Sequence, residues 1–356
     1  MKRIPELDGI RGVAIAMVLV WHYFASPMEF PMRSAMAYLQ AACRLTWSGV
    51  DLFFVLSGFL IGGILLDSRD APNYFRTFYV RRFFRIVPIY AATLILTHPL
   101  MGWIGMHQVG RWWVYPLFLQ NFSMAAKNDL GLWAVTWSLA VEEQFYLTLP
   151  AVVRYVRKAL PWVIGAGIVA APIIRVVLFY IFPSKIIAPI VLMPCRADAL
   201  LFGVAAAMWM RNERTADLLR RHGIYLWGAG AVLLAGAGVI TLHPGWTYGI
   251  EMIGFTWLAL LYMVVLLLAV TQPQSWLGTV LRFAPLRRLG MIAYGVYLLH
   301  QLFFVALRNS LHSWPLAGIV VPALGATFSL AVLSWRYFEK PLIDYAHRSN
   351  RSTFHQ

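Results

Sequence analysis

The sequence predicts an all-α polytopic membrane protein, with about ten transmembrane helices around a polar central cavity and a short interfacial or re-entrant segment. Three observations lead there. Of the 356 residues, 60% are hydrophobic and only 13% charged, with a mean hydropathy of +0.66; ordinary globular domains carry about 25% charged residues. Apolar stretches of about 20 residues, each long enough to cross a bilayer as a helix, recur from end to end. Lysine and arginine are unevenly shared among the connections between those stretches.

The first run, "LDGIRGVAIAMVLVWHYF", gives a span at 10–27. It has charges in its opening turn and no small-residue cleavage site, so it reads as a retained helix and not as a signal peptide. "GVDLFFVLSGFLI" opens a span at 47–66, and a strongly basic loop, "DSRDAPNYFRTFYVRRFFR", leads from it toward a third at 86–105. The segment 111–137 holds an apolar piece too short to span, interrupted by Pro116 and bearing four tryptophans. It reads as interfacial or re-entrant on the outer side. Spans follow at 136–154, 160–182, 187–209, 224–242, 249–270, 289–307 and 316–336. The expected organisation is one membrane domain over 1–345 with no soluble module, and an unstructured polar cytoplasmic tail over 346–356.

Ten crossings put both termini on one side. Of the 30 Lys and Arg, 22 fall on that side, which the positive-inside rule makes cytoplasmic. The net charge of +15 therefore reports topology and not a nucleic-acid partner, with anionic lipid or an anionic ligand as secondary readings. Cys43 and Cys195 cannot build a disulfide framework and have no metal-ligand spacing around them.

Ionisable side chains in the hydrocarbon region cost roughly 2.5–3.5 kcal/mol each on insertion scales, so they face a cavity or a partner. Here they include His22, Asp51, Glu142, Glu143, Arg175, Arg196, Asp198, Glu251 and His300. Arg11 and His22, eleven residues apart, share a helix face with roughly 16 Å between them along the axis. His22 reads either as a polar contact between helices or as a general base. Glu142 and Glu143 lie about 100° apart on their helix; Ser138 shares the face of Glu142. A carboxylate beside a histidine would hold the ring and raise its basicity. Among the arginines of the basic loop, Arg82 and Arg85 are three apart and suit an anionic target, with Arg81 beside them. Ser57, next to Gly58 in mid-span, permits close helix approach or serves as a nucleophile without a local base. Asp51, Trp137, Ser138, Arg196, Asp198 and His300 are expected to line the cavity. No zinc spacing, Walker loop or serine-hydrolase elbow is present, so no metal is expected. A pump or transporter would also need a polar interior, but no internal repeat or matching pair of broken helices is visible.

At these residues the sequence resembles the acyltransferase 3 family of integral-membrane acyltransferases. The likeness runs in order through "LDGIRGVAIAMVLVWH", "GVDLFFVLSGFLI", "YVRRFFRIVPIY", "TWSLAVEEQFYLTLP", "RADALLFG", "YGVYLLH" and "YFEKPL". Arg11 and His22 meet the family's arginine–histidine pattern, Phe53, Phe54, Ser57 and Gly58 its serine–glycine motif, Arg82 and Arg85 its paired arginines, and Glu142 its glutamate. The resemblance implies transfer of an acyl group, commonly acetyl, from cytoplasmic acyl-CoA to a hydroxyl of an extracytoplasmic carbohydrate or glycolipid in a bacterial cytoplasmic membrane. In that scheme Arg11, Arg81, Arg82, Arg85 and Ser57 hold the donor, His22 takes the acceptor proton and Glu142 supports the imidazolium. A covalent acyl-histidine or acyl-Ser57 step is the mechanistic alternative.

Overall fold

The computed structural model of the chain describes residues 4–27, 34–102, 107–242 and 250–352. The end of the third predicted span (103–105), the start of the eighth (249), the side chain of Glu251 and the last four residues lie outside the described residues. Among the described residues the regular structure is all helical, joined by turns and bends, with no strand. The long helices are α1 (Pro5–Val20), continued by a π-helical turn at Trp21–Ala25, α3 (Gly49–Asp67), α4 (Tyr74–Thr97), α6 (Thr136–Tyr155), α7 (Leu160–Ile181), α9 (Met193–Trp209), α11 (Gly223–Leu242), α12 (Phe255–Thr271), α14 (Ala284–Ser310) and α15 (Leu316–Ser334). Shorter ones are α2 (Ala35–Cys43), α5 (Gln120–Lys127), α8 (Ala188–Val191), α10 (Glu213–Arg221), α13 (Trp276–Leu281) and α16 (Lys340–Ser352).

Nine helical segments among the described residues are long and apolar enough to cross a membrane. The one predicted span not among them is the fourth, α6, which has 20 residues, about 30 Å of helix, but Glu142, Glu143 and Gln144 make it too polar to count on hydropathy. Helix polarity settles its status. α3 and α9 run parallel, because Asp51 meets Arg196, Gly58 meets Leu200 and Gly62 meets Val204. α1 and α14 also run parallel, with Gly12 against Leu286 and His22 against His300. Parallel neighbours are an even number of crossings apart. α9 is an even number of crossings after α3 only if one of α6 and segment 107–135 crosses and the other does not. That segment contains only a 3-10 turn at Trp112–Val114 and the eight residues of α5. Trp112 and Trp113 are exposed, as an interfacial element requires. Its start and end are tied together by His107 and Asp129, 2.7 Å apart, and the His107 hydrogen bond holds the Asp129 carboxyl below its usual range.

The structure corrects two elements. The basic loop is helix: α4 begins at Tyr74, so Arg76, Arg81, Arg82 and Arg85 stand on its first three turns. Arg76, Arg81, Arg82 and Arg85 lower the hydropathy of this stretch, which is why the segment reads as a loop in sequence. At the other end, a π-helical turn at Trp335–Glu339 leads into α16, and the tail expected to be unstructured is helical through Ser352. Cys43 and Cys195 are both free.

α3 and α9 make the tightest helix pair. A Cβ on Gly58 would lie 1.8 Å from the Leu200 carbonyl oxygen, and one on Gly203 would lie 2.1 Å from that of Val55. Small residues at such crossings let backbones touch. Gly58→Leu is expected to cost about 3 kcal/mol or more through overpacking, read as a lowered melting temperature in detergent. Gly165→Ala, where a Cβ meets nothing within 4 Å, is the control and leaves the melting temperature unchanged.

Candidate active site

A cavity lies among α1, α3, α4, α6 and α14 and encloses about 830 Å³ of empty space, its open mouth included. Three arginines line it: Arg11 from α1, and Arg82 and Arg85 from α4. Arg82 and Arg85 share a face at i, i+3, while Arg81, on the far flank of Arg85, is exposed and does not line the cavity. Arg11 is braced by Asp8 Oδ1 at 3.2 Å. The Arg82 guanidinium lies 5.7 Å from the Tyr146 ring centroid, a cation–π contact.

Opposite these cations stands Glu142 of α6, which lies against Ser57 and Tyr146, with Arg82 and Arg85 as its nearest cations. Ser57 Oγ and Tyr146 OH also hydrogen-bond each other. Glu143 points off the shared face, with Oε1 buried and without a hydrogen-bond partner among the described residues. The expected pairing of Glu142 with His22 does not occur. The carboxylate instead forms one constellation with the serine and the paired arginines.

His22 sits on the π-helical turn that ends α1, half-buried. Its Nδ1 lies 2.9 Å from Val18 O. A carbonyl can only accept, so Nδ1 carries the proton and Nε2 the lone pair. The neighbouring ring is His300, 4.8 Å away between centroids and nearly edge-on. His300 is fully buried, donates from Nδ1 to Tyr297 O at 2.7 Å, and leaves Nε2 without a hydrogen-bond partner among the described residues. Neither imidazole lines the cavity.

Of the six residues expected in the cavity wall, only Ser138 is there. Asp51, Arg196 and Asp198 are at most 2% exposed and close on one another. Arg196 pairs with Asp51, and Arg175 Nη2 with Asp198 Oδ2 at 2.9 Å. Thr256 Oγ1 also donates to Asp198, at 2.6 Å. Arg196 lies 3.6 Å from the Phe255 ring centroid and 5.9 Å from that of Trp137. Low dielectric makes charges seek each other here, so the network joins α3, α7, α9 and α12 and contributes nothing to the cavity wall. The residues missed in sequence are Tyr146, Tyr294 and Tyr297, all in the wall. Their signal was available: Tyr146 is one turn from Glu142, and Tyr294 and Tyr297 precede His300 at helical spacing.

With this geometry in place, comparison with known proteins is specific. The acyltransferase domain family matches residues 4–336. The peptidoglycan O-acetyltransferase OatA of Listeria monocytogenes is 28% identical over 96% of this chain and 56% of its own length. The putative peptidoglycan O-acetyltransferase YrhL of Bacillus subtilis is 28% identical over 98% and 56%. A putative O-acetyltransferase of Staphylococcus aureus, SACOL0978, is 24% identical over 96% and 57%. The chain thus spans a little over half the length of the curated relatives it matches. No solved structure matches it. A match over nearly the whole chain, on a helical membrane scaffold, places the protein in its family: it belongs to the acyltransferase 3 family of integral-membrane acyltransferases.

Proposed function

We propose that the protein is a membrane O-acyltransferase that moves an acetyl group from acetyl-CoA, bound in the arginine-lined cavity, to a hydroxyl of a cell-envelope or secreted glycan on the opposite face. The observation that carries this reading is the meeting of Arg11, Arg82 and Arg85 at one cavity inside the bundle. Three guanidiniums, offset in part by Glu142 and by Asp8 against Arg11, concentrate positive charge where hydrocarbon would surround the protein. An anionic ligand would relieve it, and the phosphates of CoA supply that charge at the mouth on the basic, cytoplasmic face. The acceptor class is supported by relatives named as peptidoglycan O-acetyltransferases.

In the step proposed, the acceptor hydroxyl gives its proton to His22 Nε2 while its oxygen attacks the thioester carbonyl. The carbon–sulfur bond breaks, the acetyl group becomes an ester, and the thiolate leaves as CoA. Glu142 acts at the donor side: it orients Arg82 and Arg85 and fixes Ser57, instead of supporting the imidazole. The test is transfer of label from acetyl-CoA to an N-acetylated oligosaccharide in proteoliposomes, with glycan ester and free CoA expected in equal amounts. Movement of glycan across the membrane with no acetyl-CoA consumed would overturn the reading in favour of a transporter.

A further inference from the structure

We infer that Tyr297 and Ser138 form a closed partition between the arginine-lined cavity and the His22–His300 pair, and that this partition must open in each turnover. It rests on the acyl transfer proposed above for what passes through it. Its existence rests on the order of residues along two parallel helices. On α14, Tyr294, Tyr297 and His300 follow one another at about 4.5 Å intervals along the axis. Tyr294 and Tyr297 line the cavity and His300 does not. On α1, Arg11 lines it and His22, roughly 16 Å further along, does not. A layer therefore separates the donor cavity from the imidazoles, and its members are identifiable.

In that layer Ser138 Oγ and Tyr297 OH are 2.6 Å apart. Both reach the same carbonyl: Tyr297 OH donates to Val135 O at 2.9 Å, and Ser138 Oγ approaches it at 3.1 Å. Two hydroxyl protons and one main-chain acceptor satisfy one another. The Phe53 ring stands edge-on to Tyr297 at 6.2 Å and closes the apolar side. Beyond the layer, His300 is fully buried and does not line the cavity. A thioester held below such a layer is kept from water and from outer hydroxyls until the layer moves, which suppresses hydrolysis of the donor. Opening needs only neutral hydrogen bonds to break. Val135 lies where segment 107–135 joins α6, so displacement of that outer segment withdraws the shared acceptor.

The experiment is side-specific cysteine labelling. Ser57→Cys is placed in a chain carrying Cys43→Ser and Cys195→Ala, and a membrane-impermeant maleimide is added to one face of sealed vesicles at a time. With the partition intact, labelling is expected only from the face that carries the termini. Tyr297→Phe and Ser138→Ala should each raise labelling from the opposite face about tenfold, the scale of one lost neutral hydrogen bond, with the rate from the first face unchanged as the check on folding. Equal labelling from both faces in the Ser57→Cys parent, or continued protection in both variants, overturns the inference. Labelling uses neither acetyl-CoA nor acceptor. A protein that labels as expected but transfers no acetyl group therefore refutes the function and leaves the partition standing.

Discussion

Arg82→Ala and Arg85→Ala are each expected to weaken CoA binding about 30- to 100-fold, measured by titration calorimetry at fixed salt. The size follows from where the groups sit. A hydrogen bond to a charged partner contributes about 1.5–3 kcal/mol, and removing one member of a desolvated pair costs about 2–5 kcal/mol because the other charge is left uncompensated. Both arginines line the same interior cavity, where salt screens them less than surface charges. Arg81 is the internal control: it is about two turns into the same helix but exposed, so Arg81→Ala should change the affinity less than twofold, as expected of an exposed charge. Arg82→Lys should recover only part of the loss, since an ammonium lacks the planar fork and stacks poorly on Tyr146. Unchanged affinity in both alanine variants would remove CoA from the cavity.

Class, span positions and the re-entrant segment were legible in sequence because each is a local property: apolar length, Trp content and the sign of flanking charge. Pairing across helices was not. Asp51 and Arg196 are far apart in the chain, and nothing in either span indicates that each neutralises the other. They were therefore read as two cavity residues when they are one buried contact. Glu142 and His22 failed in the same way. Similar depth in the bilayer is readable from span ends, but depth does not determine which neighbour a face meets. α4 began earlier than expected because hydropathy penalises arginine, whereas a helix can hold Arg82 and Arg85 inward on one face while Phe83 is exposed on another. The motif "YGVYLLH" was quoted for its histidine alone, and its two tyrosines proved to be cavity wall.

His22→Ala is expected to lower acetyl transfer by about 10²- to 10⁴-fold, the range contributed by a positioned general base, while CoA affinity stays within twofold. The separation of the two readouts is the informative part. Nδ1–H is engaged by Val18 O, so Nε2 is the atom able to accept a proton, and the ring lies outside the cavity that would hold the nucleotide. Glu142→Gln should behave in the opposite sense. It neutralises the carboxylate between Arg82, Arg85 and Ser57, so its first effect falls on donor affinity. If Glu142 instead supported the imidazolium, as its depth alone suggested, the two variants would fall together in rate and neither would alter CoA binding. Measuring both quantities for both variants therefore decides between a carboxylate–histidine dyad and a donor cavity set apart from its base, the latter being the arrangement in which Tyr297 and Ser138 stand between thioester and imidazole.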